Sequence, residues 1–591
     1  MDFYTGRVLR VDLTSGSSRV EPLNMDWARL YIGGKGLLFR YLLDEVAPGL
    51  DSFSPQNPLM FFTGPFAGTG VSTCSRLVVG CKSPQTGTIL DSYVGGSFAP
   101  ELKFAGYDAL IITGRAAAPT VVWIEDDVVE LRSAQKYLGM EIAQLEEALR
   151  KDLGEQARFM SNGPAGENLL PWACLSTDQY HKAGRGGAGA LMGAKNVKAV
   201  AVRGTGAVTV GDAKAFQADL YRIHEQYVFT PDNMWAHEEG TLAVADAVSM
   251  AGAMPTRNWS QGQFVGIDQI NSAAFQKVRL KKRACSQCAI ACRNFHVIGD
   301  ARGEGPEFET VALCGANCGI DDAEALLRFN LACDDLGMDT ISTGAVVGLA
   351  MDMTEKGIAN FGLHFGEAEA YLTAPGLIAR REGIGADLAL GARALAAKHG
   401  CPELAVEVKN LELPGFDPRG AFGMSLAYAT ADRGGCHQRS SVMADEILSG
   451  NLPPDSLDGK AAVNIRSQNF IALKNSGIWC EFWALGLDEM RQLLRHVWKR
   501  EPSDEELMKV GERAWNLSRI FNLRQEVESD TLPAKLVKES GAFTAGPSAH
   551  RFIGMERFLE GLAEYYRLRG WDERGVPTEA KLAELEIDIR A

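Results

Sequence analysis

Cys285-Ser286-Gln287-Cys288-Ala289-Ile290-Ala291-Cys292 is the stretch on which the reading of this chain turns. Three cysteines in a CxxCxxxC spacing can hold three corners of an iron–sulfur cluster. A fourth thiolate must then come from elsewhere in the fold. No second CxxC and no HxxxH completes a zinc set, so the spacing favours a cluster over zinc. A 4Fe–4S cluster moves electrons one at a time, and the stretch therefore predicts a redox protein.

Outward from this stretch, 591 residues are enough for several cores, about three or four domains by size alone. A net charge of −15 argues against nucleic acid as the main partner, because phosphate binding needs a basic face. No uninterrupted apolar run reaches membrane-spanning length, so no membrane partner is expected. The segment Met1-Asp2-Phe3-Tyr4-Thr5-Gly6-Arg7 has no basic region followed by an apolar run, so no secretory signal is expected. The remaining cysteines are scattered, which suits a reducing compartment, and a cytoplasmic location is expected.

Residues 1 to about 208 alternate β-branched runs with glycine turns, as in Arg7-Val8-Leu9-Arg10-Val11, Leu77-Val78-Val79, Ala109-Leu110-Ile111-Ile112, Thr120-Val121-Val122-Trp123-Ile124 and Ala199-Val200-Ala201-Val202. These read as strands. Beyond about 210 the spacing turns helical over Ala213 to Tyr227, Ala323 to Leu336, Gly385 to Ala397, Asp504 to Ile520 and Met555 to Arg569. A further boundary is placed at Leu413-Pro414-Gly415-Phe416-Asp417-Pro418-Arg419-Gly420, which is dense in Pro and Gly. The expected fold class is α+β: a β-rich unit over residues 1–208, then two mainly α-helical domains over 209–412 and 413–591.

Three glycine clusters fall in the first third: Gly33-Gly34-Lys35-Gly36, Gly64-Pro65 through Gly68-Thr69-Gly70, and Gly184-Arg185-Gly186-Gly187. Taken singly, each reads as a turn or tight packing site; none is a Walker A motif or a GxGxxG in strand–helix context. Together with Arg76 and Arg185, which supply charge-assisted donors, they point to an extended, phosphate-bearing cofactor.

On these segments the chain resembles the tungsten-dependent aldehyde:ferredoxin oxidoreductase family over essentially its whole length. The resemblance is carried, in family order, by Gly33-Gly34-Lys35-Gly36, Arg76, Gly95-Gly96 leading into Pro100-Glu101-Leu102-Lys103-Phe104-Ala105-Gly106-Tyr107-Asp108, and Gly184-Arg185-Gly186-Gly187. It continues through the three cysteines, Gly305-Pro306-Glu307-Phe308-Glu309-Thr310, Asp334-Asp335-Leu336-Gly337-Met338-Asp339, Asp432-Arg433-Gly434-Gly435-Cys436-His437 and Cys480. It implies a three-domain enzyme whose β-rich first domain is a base for two pyranopterins chelating one tungsten. A magnesium ion bridges the pterin phosphates, and two helical domains cover the site. Molybdenum in place of tungsten is left open.

Carried over position by position, Cys285, Cys288, Cys292 and the remote Cys480 correspond to the 4Fe–4S ligands. Arg76 corresponds to an arginine between cluster and pterin. Gly95, Arg185 and Gly186 fall in the pterin phosphate and magnesium region, and Asp334 and Asp339 match a pterin-binding DxxGxD motif. Three positions depart from the family. Asn475 stands where an aspartate begins the second pterin motif, Tyr93 where an asparagine lies near magnesium, and Phe308 where a tyrosine is frequent. The Glu-x-x-His that bridges subunits through an extra iron in some members is not found around Phe329.

Glu309 and His437 are the acid–base candidates. A carboxylate can accept the proton of water or an aldehyde hydrate, and a histidine can donate a hydrogen bond to the carbonyl oxygen. Their structural alternatives are a helix cap for Glu309 and a loop contact for His437. The resemblance implies aldehyde oxidation to the acid, with electrons leaving through the cluster to ferredoxin or an iron–sulfur partner subunit, and an oligomer is expected. The alternative within the family is a low-potential reductase acting on an acid or an aromatic acyl-CoA. There Cys436, beside His437, is the nearby candidate for a metal ligand. From a different class, a non-catalytic iron–sulfur carrier is disfavoured by the glycine clusters and the DxxGxD motif. Lys281-Lys282-Arg283, directly before Cys285, reads either as a docking patch for an acidic electron acceptor or as a solvated face that offsets the cluster's charge.

Overall fold

The computed structural model describes residues 2–228, 230–528 and 530–589. Among them the strands of the first third form two six-stranded sheets. In spatial order the first runs Ser17–Pro22, Arg7–Asp12, Ala109–Thr113, Leu59–Phe62, Leu77–Lys82 and Ile89–Val94. The second runs His181–Ala183, Leu175–Thr177, Arg158–Asn162, Val197–Arg203, Thr120–Glu125 and Val128–Ser133. Each sheet has one parallel pair, Arg7–Asp12 with Ala109–Thr113 and Val197–Arg203 with Thr120–Glu125. The other pairings are antiparallel.

Strand alternation explains the layering, because successive side chains leave opposite faces. Leu9, Val11, Leu59 and Phe61 point inward and share one core with Val122, Ile124, Val200 and Val202 of the second sheet. Val8, Met60, Phe62 and Ile111 leave the other face of the first sheet and pack on the helix Gly34–Glu45. Leu517, Ile520 and Phe521 of the far C-terminal helix Asp504–Arg524 join that same layer. Val121, Trp123, Ala199 and Ala201 cover the helix Ile142–Leu153 through Leu145 and Leu149.

The remainder is mainly helical, and its largest core runs from Leu242 to Trp571 with a few side chains from 165–190. Ala323–Leu336 and Met555–Arg569 form helices over the spans their periodicity predicts. Two expectations differ in detail. The helix Ala213–Ile223 passes into a wider turn at His224–Val228. The stretch from Gly385 breaks into Gly385–Leu388 and Ala392–Lys398, with Gly391 at φ 86° between them. A three-stranded sheet of Arg279–Arg283, Arg293–Ile298 and Ala301–Glu304 lies inside the helical region, and the sequence reading does not anticipate it.

The edge strands Ile89–Val94 and His181–Ala183 of the two large sheets lie against each other. The candidate site is built around this meeting of edges.

Candidate active site

The three clustered cysteines sit in the loop of the hairpin formed by Arg279–Arg283 and Arg293–Ile298, which closes with Arg283 opposite Arg293. Gln287 and Ala291 take left-handed backbone, φ 57° and 48°, and this folds the loop tightly. The Ser286 N–H donates to the Gly96 carbonyl at 3.2 Å and the Ala289 N–H to Ser72 Oγ at 3.0 Å. His237 Nδ1 lies 2.8 Å from the Ile290 carbonyl. Cys480 follows the helix Lys460–Gly477 after a left-handed cap at Ile478.

The structure brings the remote cysteine to the other three. Burial raises the thiols of Cys285, to about 12, and of Cys288 and Cys292, and the neighbouring Cys480 adds to the rise in each. Among the described residues no three His, Cys, Asp or Glu side chains close on one point as a single-ion site would require. The four thiols are close enough to act on one another's charge. Arg76 faces them, with Cys480 and Cys285 among the charges acting on its guanidinium. The Glu481 carboxylate also acts on Arg76, and the Tyr93 ring lies 5.4 Å from its guanidinium. Half-buried sulfurs beside a guanidinium suit an anionic cluster.

Gly95, just past the edge strand, shows why a side chain is excluded here: a Cβ would stand 2.6 Å from Cys285 Sγ. Tyr93 donates its hydroxyl to Asp91 Oδ2 at 2.6 Å, so its side chain is committed within the protein. His181, which the sequence reading does not single out, places Nε2 3.3 Å from Cys285 Sγ.

The DxxGxD segment is a helix-to-helix corner. Gly337 ends Ala323–Leu336 in the left-handed conformation, φ 74°, and Asp339 caps the next helix, Thr340–Glu355, accepting from Ile341 N–H and Ser342 N–H. Asp339 also accepts from Arg185 Nε at 3.2 Å. The other Arg185 nitrogens donate to the carbonyls of Gly435, at 3.0 Å, and Glu412. Arg185 is thus a clamp between the glycine cluster and two segments of the helical region. The Gly186 carbonyl accepts from Ser83 Oγ at 2.7 Å. Asp334 stands apart from this clamp, accepting from Asn330 Nδ2 at 3.1 Å with Lys182 Nζ at 3.7 Å. Burial lifts its carboxyl to about 6. Asn475 is buried in the last turn of Lys460–Gly477, its carbonyl against Gly34.

Glu309 and His437 face each other, with Oε1 and Nδ1 3.5 Å apart. Neither atom has a hydrogen-bond partner, although both are buried. Glu309 does not cap its own helical turn; its Oε2 accepts from the Gly415 N–H at 2.7 Å. Burial raises its carboxyl to about 8 against the opposing pull of that N–H and of Arg185. His437 is held well below its ordinary range by burial and by Arg185, Arg433 and Arg439, so it is neutral at pH 7. The rings of Phe308 and Phe416, 4.8 Å apart, wall this side.

Behind His437 lies a buried charge network. Lys35 Nζ donates to Asp91 Oδ2 at 2.8 Å and to Asp432 Oδ2 at 2.5 Å. Arg439 bonds the same two carboxylates. Arg433 donates to the Asp91 carbonyl at 2.8 Å and contacts Cys436 Sγ at 3.2 Å. Although burial alone raises it, the Cys436 thiol is lowered overall by Arg433, Arg439 and Arg185. Arg439 Nη1, Arg433 Nε, Ser176 Oγ and Thr177 Oγ1 are buried without partners. Unpaired buried donors of this kind fit a polar, anionic group entering from the edge-strand side. Sequence reading quotes Lys35, Asp432 and Arg433 within motifs, yet only the fold shows that Lys35 and Arg433 reach Asp91 and that Lys35 ties Asp432 to it.

The family model for the N-terminal domain of aldehyde ferredoxin oxidoreductase matches residues 8–204, and that for domains 2 and 3 matches residues 220–587. A tungsten-containing aldehyde ferredoxin oxidoreductase of Pyrococcus furiosus is 38% identical, covering 98% of both chains. The protein of the same description from Pyrococcus abyssi is 37% identical, covering 99% of both. Among solved structures, the active-site complex BamBC of benzoyl coenzyme A reductase, with 1,5-dienoyl-CoA, matches in fold with a TM-score of 0.84. It is 24% identical and covers 99% of this chain and 97% of that one. By the family models and by relatives that share its full length, the chain belongs to the aldehyde ferredoxin oxidoreductase family.

Proposed function

We propose that this protein oxidises aldehydes to carboxylic acids at a bis-pyranopterin tungsten centre, where molybdenum is the alternative metal. Electrons leave through a 4Fe–4S cluster to a ferredoxin or an iron–sulfur subunit in the cytoplasm. The observation that carries the reading is the Glu309–His437 pair, whose facing atoms are buried and lack hydrogen-bond partners in the protein. Aldehyde plus water yields acid, two electrons and two protons. The metal, when bound, supplies the two-electron acceptor.

This chain's own residues manage the protons. Ionised Glu309 accepts a proton from water or an aldehyde hydrate, and the Gly415 N–H fixes the carboxylate through its other oxygen. Neutral His437 donates to the carbonyl oxygen as charge develops there. Phe308 and Phe416 exclude water from this side. The orphaned Arg433 and Arg439 nitrogens would donate to the cofactor's anionic groups, and a magnesium ion would help neutralise its phosphates. Asp334, Asp339, Gly95, Arg185, Gly186, Tyr93 and Asn475 form its protein surroundings. Cys285, Cys288, Cys292 and Cys480 hold the cluster, and Arg76 lies beside it.

Of the basic triplet before Cys285, Arg283 pairs with buried Glu304 at 3.1 Å and Lys282 Nζ donates to Asn294 Oδ1 at 3.0 Å. Exposed Lys281 is left to meet an acidic acceptor. In the reductase alternative Cys436 would be the candidate metal ligand; its sulfur is contacted by Arg433, and the nearby arginines lower its thiol.

A panel of aldehydes with a low-potential viologen, run anaerobically on metal-loaded protein, tests the reading. Dye reduction matched by acid formation is expected; reduction of an aromatic acyl-CoA without aldehyde oxidation would replace it. Cys480→Ala is expected to lose the cluster's EPR signal and its iron, and unchanged iron would reject Cys480 as a ligand.

A further inference from the structure

His181 begins the edge strand His181–Ala183, four positions before Arg185 of the glycine cluster. Its imidazole is more than nine-tenths buried, with 7% of its surface exposed. Nε2 lies 3.3 Å from Cys285 Sγ, within reach of an N–H···S hydrogen bond. The opposite ring nitrogen, Nδ1, is buried and has no partner in the protein. Gly95 closes the space alongside: a Cβ there would stand 2.6 Å from Cys285 Sγ and 3.5 Å from His181 Cδ2. On the neighbouring strand Thr177 pairs with His181 and leaves its own hydroxyl without a partner. The contact is therefore enclosed by backbone and is not a chance meeting of two mobile side chains.

Chemistry fixes the direction of the bond. A cysteine bound to iron offers only lone pairs, so the shared proton must sit on Nε2. A hydrogen bond to a ligand sulfur stabilises the more negative, reduced form of a cluster and raises its potential. In a buried site the effect is stronger than in water.

We infer that His181 is a positioning residue for electron transfer: it donates from Nε2 to Cys285 Sγ and holds the cluster's reduction potential up. Nδ1 is then left as an acceptor for a donor on the bound cofactor or a water. The inference rests on the reading that Cys285 ligates a 4Fe–4S cluster.

The test is a potentiometric EPR titration of the holoenzyme, wild type against His181→Leu and His181→Gln, with iron measured in each. His181→Leu is expected to make cluster reduction about tenfold less favourable, ~59 mV lower for one electron. His181→Gln, which keeps an amide donor, should recover most of the shift. Equal potentials in all three, at equal iron content, would overturn the inference while leaving the cluster in place. Wild-type protein without iron or a cluster signal would instead overturn the cluster reading. Should both variants lose iron, ENDOR of the reduced wild-type cluster in H₂O and D₂O decides. An exchangeable proton coupling accompanied by a ¹⁵N coupling in protein labelled with ¹⁵N-histidine supports the bond, and its absence overturns it.

Discussion

Glu309 and His437 face each other at 3.5 Å with no hydrogen bond to the facing atoms, and in the proposed mechanism this carboxyl governs the pH dependence of turnover. A base must be ionised to act, and burial lifts this carboxyl from 4.5 to about 8. Turnover is expected to rise with pH through about 8 and to fall on the acid side. Stability runs the other way: the folded state holds the proton more tightly than the unfolded chain, so this residue's contribution declines between about 4.5 and 8 as pH rises. Glu309→Gln should lower kcat by ~10²- to 10⁴-fold, remove the rise near pH 8 and flatten that part of the stability profile. A variant with near-normal kcat and an unchanged pH profile, at full metal content, would remove Glu309 from the mechanism. Glu309 and His437 were singled out in the sequence because each lies in a matched motif, and the fold adds that they face each other. His181 was not, because its role rests on a 3.3 Å contact with a residue far along the chain.

At the scale of elements, the DxxGxD corner shows how one segment serves two ends. Asp339 caps Thr340–Glu355 and receives Arg185, which also ties down Gly435 and Glu412. Asp339→Ala should therefore cost more than the ~0.5–2 kcal/mol of a lost cap. Asp339→Asn, which keeps the cap and drops the charge, should fall between wild type and Ala in denaturant unfolding. Equal losses for Asn and Ala would assign the whole effect to the ion pair. Helices with continuous 3.6-residue spacing, such as Met555–Arg569, were readable along the chain. The strand Arg279–Arg283 was not: Arg279-Leu280-Lys281-Lys282-Arg283 shows no alternation of apolar residues, and tertiary pairing makes it a strand.

Across the whole molecule, Lys35, Asp91, Asp432 and Arg439 join the first sheet and its helix to the region that presents His437, all four of them buried. Lys35→Met would leave two buried carboxylates sharing the remaining cations, and an unfolding cost of ~3–5 kcal/mol is expected. A loss under 1 kcal/mol would show that the arginines alone compensate them. The β-rich and helical halves were legible from texture. Their joining was not, because it depends on charges hundreds of positions apart. In the proposed function, electrons taken from an aldehyde at Glu309 and His437 reach the four-cysteine cluster. This transfer is tested most directly by mixing oxidised holoenzyme anaerobically with aldehyde, with no external acceptor, and following the cluster by EPR. The reduced-cluster signal is predicted to grow as acid forms, and to be lost in Glu309→Gln with metals retained. Acid formation with the cluster still oxidised, or a fully metallated enzyme that leaves every aldehyde unchanged, would contradict it.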